Sequence, residues 1–165
     1  MKETILYGEK FKIDNKDKKI IQSLYENGRA TITQIEKKTG IRRDSVSYRI
    51  KKLLERGIIS FIIPIVNPGK LGYNLINEVL IRTKVGTKEQ EERFIKKLKN
   101  NPLVVYLAVL SGRWDYNLSI CARNPKHFNE ILKEIRAIES DYIKEFEIFT
   151  IVSEEKYENS LGLLD

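Results

Sequence analysis

Between residues 14 and 57, apolar residues recur at three- and four-residue intervals in three short runs, each followed by a glycine. That spacing gives each run one apolar face, so the segment is expected to fold as three short helices around a shared core. Asp14 can cap the first helix, Asp17 suits the positive end of its first turn, and Asn27-Gly28 stops it after Ile20, Ile21 and Leu24. Thr31 or Thr33 can start the second, which carries Ile32 and Ile35 and closes at Gly40, a residue free to turn left-handed. The third runs from about Arg43 to Glu55. Its buried stripe is Val46, Ile50, Leu53 and Leu54, and Gly57 ends it. Residues 58–66, IISFIIPIV, read as a hinge strand broken by Pro64, and Asn67-Pro68-Gly69 as a turn at a domain boundary.

The rhythm then changes. Residues 75–85 are strand-like, and 87–100 form a helix opened by Thr87 and Gln90 at capping-box spacing. Residues 103–110 and 114–122 are strands joined at Ser111-Gly112-Arg113, the second with Trp114, Tyr116, Leu118 and Ile120 on one face. Asn124-Pro125 opens a helix carrying Phe128, Ile131, Leu132, Ile135 and Ile138, and residues 142–152 make a last strand. The order β-α-β-β-α-β is that of a ferredoxin-like domain. The expected fold class is α+β. An N-terminal arm, a winged-helix-like helix-turn-helix domain and the hinge strand occupy residues 1–72, and a ferredoxin-like domain occupies residues 73–165. Helices cover one face of such a sheet, yet the strand at 103–110 is apolar on both, and Phe149 and Ile151 extend the last strand. A second copy of the chain is the simplest cover, so a homodimer through the C-terminal domain is expected.

Charge separates the halves. Residues 1–72 hold sixteen Lys and Arg against eight Asp and Glu, and residues 73–165 hold fourteen against fifteen, so the whole positive excess lies in the first half. A polyanion partner for that half explains the asymmetry, and an idle basic surface is the plainer alternative. At the start of the third helix Arg42 and Arg43 can match guanine bidentately in a major groove, and Ser45 and Tyr48 can reach bases or phosphates. Arg49, Lys51, Lys52 and Arg56 are better placed for phosphates, which set register without reading sequence.

Other chemistry has little support. Cys121 and His127 are single residues of their kinds, so no disulfide, no metal and no cofactor is expected. No apolar stretch is long enough to span a bilayer, the first twelve residues lack a signal-peptide core, and one cysteine suits a reducing cytoplasm, so a cytoplasmic location is expected.

The combination of Ile13-Asp14, Asp17, Ile20, Leu24, Gly28-Arg29, Ile35, Gly40, Val46, Arg49-Ile50, Leu53, Glu55, Gly57 and Ile59 resembles the N-terminal domain of the Lrp/AsnC (leucine-responsive, feast/famine) family of bacterial and archaeal transcriptional regulators. Asn67-Pro68 and Leu71-Gly72 resemble that family's hinge, and Gly112, Asp115, Tyr116 and Leu118 the turn of its ligand-sensing domain. The resemblance implies a non-enzymatic regulator that binds double-stranded DNA, assembles as a dimer or higher oligomer, and responds to an amino acid or similar small effector. Ser111, Gly112, Arg113 and Asp115 are the effector-binding candidates that follow from it. The competing reading of that turn is structural, with Gly112 present for a positive φ and Asp115 facing solvent. Two departures stand out: Arg42 occupies the position where the family caps its recognition helix with serine, and the segment before the last strand lacks the family's glycine turn. The alternative function is enzymatic, since tetrapyrrole (sirohaem) decarboxylases are similar in fold, but their histidines have only His127 as a counterpart here.

Overall fold

A computed structural model describes residues 4, 5, 7, 8 and 10–164; the expected N-terminal arm falls partly outside the described residues. The chain forms two compact units, Met1–Ile65 with Lys156–Asp165, and Val66–Glu155.

The first unit is built on helices α1 (Asn15–Glu26), α2 (Ile32–Thr39) and α3 (Arg43–Glu55). The Asp14 carboxylate accepts the N–H groups of Lys16 and Asp17 at 2.8 and 2.9 Å, while Asp17 accepts the N–H of Asp14 at 3.2 Å. This reciprocal capping box satisfies amides that the helix cannot pair internally. Thr31 and Gln34 close a second such box on α2. Gly40 follows at φ 72°, its N–H donating to the Glu36 carbonyl at 2.8 Å. The three helices enclose Ile20, Ile35, Ile41, Val46 and Leu53, with Ile13, Leu24, Ile50 and Ile58 packed around them. Each buried aliphatic side chain stabilises the unit by about 1.5–3 kcal/mol.

Residues 58–66 depart from expectation. They form no strand, and Phe61, Ile62, Ile63, Ile65 and Val66 are exposed. A strand exists only through a ladder partner. None pairs with this segment among the described residues, and Pro64 lacks a donor to recruit one. The segment Lys156–Asp165 groups with the helical unit although it follows the whole second unit in sequence. There the Tyr25 hydroxyl of α1 donates to the Glu158 carbonyl.

The second unit begins with a 3-10 turn, Pro68–Leu71, capped by Asn67. Strands β1 (Leu75–Thr83), β2 (Val104–Val109), β3 (Tyr116–Ala122) and β4 (Ile143–Thr150) form one antiparallel sheet in the order β2-β3-β1-β4, with helices α4 (Lys88–Asn100) and α5 (Pro125–Ile138) in the connections. The order is that of the ferredoxin-like arrangement. Phe94 and Leu98 of α4 and Phe128, Ile131 and Ile135 of α5 bury one sheet face, carried by Val79, Ile81, Tyr116, Leu118 and Ile120. The Phe94 ring stands edge-on to Tyr116 and Tyr142 at centroid distances of 5.3 and 5.5 Å. Register places Glu78, Leu80 and Arg82 beside Phe149, Glu147 and Glu145 on the opposite face. Phe149 there is 48 % exposed.

Candidate nucleic-acid interface and effector turn

Every base- or phosphate-reading candidate lies on or beside α3, whose inner stripe of Val46 and Leu53 fixes which side turns outward. At about 3.6 residues per turn, Ser45, Tyr48, Arg49, Lys52 and Arg56 follow one side of the helix, while Arg43 falls on the far side. Tyr48 is 58 % exposed, and the Lys52 ammonium sits 4.8 Å from its ring centroid, a cation–π distance. Tyr48, Arg49, Lys52 and Arg56, with Lys12 and Asp17, line a cavity of about 160 Å³ floored by Leu53 and Ile58. Arg42 and Arg43 stay outside it, exposed at the helix start.

Arg42 occupies the N-cap of α3 without a capping side-chain bond. The missing acceptor comes from α2, where the Glu36 carboxylate takes the Arg43 N–H at 3.0 Å. Sequence reasoning overlooked Glu36 because it looked for a cap within the helix's own first turn. The legible signal was an acid one helical turn before Gly40, which the turn carries back toward the next helix.

Arg49 is not a free cation. Its Nη1 lies 2.8 Å from both Asp14 carboxylate oxygens and 2.7 Å from Asp17 Oδ1. The hydrogen bond to Asp17, followed by that to Asp14, raises the guanidinium pKa further above its ordinary value. The Asp14 carboxyl is held below its usual range, chiefly by the Asp17 N–H, with Arg49 and the Lys16 N–H adding to the effect.

The effector candidates are gathered at the β2–β3 turn, but not in equivalent states. Ser111, Gly112 and Arg113 are exposed, and Gly112 has φ 151°. The Arg113 guanidinium stacks 5.2 Å from the Trp114 ring. Asp115 is partly buried and engaged: its Oδ2 accepts the Thr83 N–H at 2.7 Å and the Thr83 hydroxyl at 2.9 Å. It therefore locks the end of β1 rather than pointing into solvent. Thr83 is a second residue that the sequence did not single out.

The two remaining reactive types are quiet. Burial raises the Cys121 thiol pKa, which keeps it protonated and poorly nucleophilic. His127 Nδ1 accepts the Arg123 N–H at 3.2 Å. No cluster of three or more His, Cys, Asp or Glu suited to a metal exists among the described residues, and no helix among them is long and apolar enough to cross a membrane.

Comparison with known proteins matches residues 13–60 to the Winged helix-turn-helix DNA-binding family and residues 78–161, about half of the chain, to the Lrp/AsnC ligand binding domain. The chain belongs to the Lrp/AsnC family. Its relatives include the HTH-type transcriptional regulator FL11 of Pyrococcus furiosus, 33% identical over 127 residues, which are 77% of this Lrp/AsnC chain and 82% of that protein. The fold is shared with an AsnC family transcriptional regulator from Agrobacterium tumefaciens, at TM-score 0.81 and 25% identity over 92% of this chain and 99% of that one. A Neisseria meningitidis transcriptional regulator solved as an L-Met complex gives TM-score 0.80 at 21% identity, covering 93% of this chain and all of that one (100%). In this Lrp/AsnC chain the first match spans α1 to α3, and the second begins in β1 and runs beyond β4.

Proposed function

We propose that this Lrp/AsnC chain is a sequence-specific DNA-binding transcriptional regulator, working as a homodimer and modulated by an amino acid. The observation that carries the reading is α3 itself: a helix seated on a packed three-helix core, with Tyr48 and Lys52 presented outward in the half of the chain that holds all the excess positive charge. Ser45 and Tyr48 read bases from one side of the helix. Arg42 and Arg43 act at its N-terminal end, and Lys52 neutralises a phosphate. Met1–Ile65 with Lys156–Asp165 form the DNA-binding portion, and Val66–Glu155 the portion for dimerisation and sensing.

A dimer is supported by the sheet face that α4 and α5 leave uncovered, where Leu80, Tyr106 and Phe149 lie. An amino-acid effector is supported by the ligand-binding family match and by the L-Met carried by the Neisseria relative. At the turn, Arg113 and the exposed backbone of Ser111 and Gly112 suit a carboxylate, while Asp115 contributes by holding the turn to β1.

Selection of bound fragments from a random duplex pool, followed by a salt titration on the selected site, tests the function. Affinity is expected to fall steeply with salt, by about 0.9 in log-log slope for each phosphate neutralised. A flat plot, or a pool that never enriches, overturns it.

A further inference from the structure

A cation on the outward side of a recognition helix is ordinarily assigned to a phosphate. The surroundings of Arg49 argue otherwise. Its side chain is only 23% exposed, and its Nη1 is shared between Asp14 and Asp17 at 2.7–2.8 Å. Two carboxylates against one guanidinium neutralise the Arg49 charge, so it offers a phosphate no net attraction of its own. The two acids are also engaged by backbone hydrogen bonds of their own. Asp14 holds the Lys16 and Asp17 amides, and Asp17 holds the Asp14 amide, so the carboxylates that grip Arg49 are themselves parts of the α1 capping box.

We infer that Arg49 is a positioning residue: it fastens the middle of α3 to the N-terminal box of α1, and so sets the aim of Tyr48 and Lys52. Those two side chains flank Arg49 in the same cavity. Removing the clamp releases α3 to rotate or slide against α1, and the readers next to Arg49 lose their register with the groove. This role rests on the DNA-binding reading and gives Arg49 a part in it that charge counting would miss.

The test compares full-length Arg49→Gln, Arg49→Lys, Asp17→Asn and Lys52→Ala on the selected duplex and on a random duplex, across a salt series. If Arg49 positions α3, Arg49→Gln and Asp17→Asn each weaken the selected duplex by roughly three- to thirty-fold. Both leave the salt slope unchanged, both cost less on random DNA, and the double variant is no worse than either single one. Arg49→Lys, which keeps one ion pair, recovers part of the loss. Lys52→Ala is the contrasting case and lowers the slope by about one. Two results overturn the inference: a drop of about one in slope for Arg49→Gln, or tighter binding by Asp17→Asn, which is what removing a negative charge near a phosphate would give. Should Arg49→Gln fail to fold, judged by its helical circular dichroism, Arg49→Lys and Asp17→Asn decide between the same outcomes. Loss of salt-sensitive duplex binding in the unaltered chain instead refutes the DNA-binding reading, and the inference with it.

Discussion

Gly40 turns the chain between α2 and α3 at φ 72°, and nothing lies within 4 Å of the place a Cβ would take. A side chain there meets no steric clash, only the left-handed backbone. Gly40→Ala is therefore expected to destabilise the helical unit by about 1–2 kcal/mol, read as a lower urea midpoint at unchanged slope. Asp115 makes the opposite case, since its value lies in its contacts. Asp115→Ala leaves the Thr83 amide without its acceptor and should cost about 1–3 kcal/mol in denaturant melts. An unchanged midpoint would mean that water replaces the carboxylate at no cost. Tyr48→Ala is expected to cost about 1–3 kcal/mol on the selected site and to blur its base preference, measured by repeating the selection. Retention of the same consensus would leave base reading to Ser45, Arg42 and Arg43.

At the scale of elements, caps explain why so much of the chain could be read before it was seen. Asp14, Thr87 and Asn124 cap the helices they were expected to start, and of the two candidates for α2 it is Thr31 that caps, because capping is a contact within a few residues. The α1 cap also has a pH signature. Asp14 has a lowered pKa in the folded chain, so the unfolded chain binds more protons between the two values. Its stabilising effect is present above the ordinary carboxylate pKa of about 4 and is lost as pH falls through the lowered value. Helical circular dichroism of the chain should weaken in that acid window, and less so in Asp14→Asn. What could not be read locally was long-range. The strand expected over residues 58–66 needed a partner that the segment itself does not name. Arg49 meets Asp14 and Asp17 across 35 and 32 residues, and Asp115 meets Thr83 across 32. Charge alone assigned Arg49 to a phosphate, and only the packing of α1 shows what holds it.

For the whole molecule, the open sheet face is the feature that calls for a partner. Phe149 lies there beside Glu78 in register, half exposed, so Phe149→Glu would set two acids side by side on the surface that a second copy should cover. Light scattering is expected to give twice the 19.3 kDa chain mass for the unaltered protein and close to a single chain mass for the variant. A variant that remains dimeric would place the interface elsewhere. The return of Lys156–Asp165 to the helical unit bears on how such a chain can be recombined. Exchange of its sensing half with that of a relative at a single crossover would carry off the native tail together with Glu158, the backbone partner of Tyr25. Chimeras of this architecture require two junctions, one near residue 65 and one near residue 156, so that the reading head keeps both of the segments from which it is assembled.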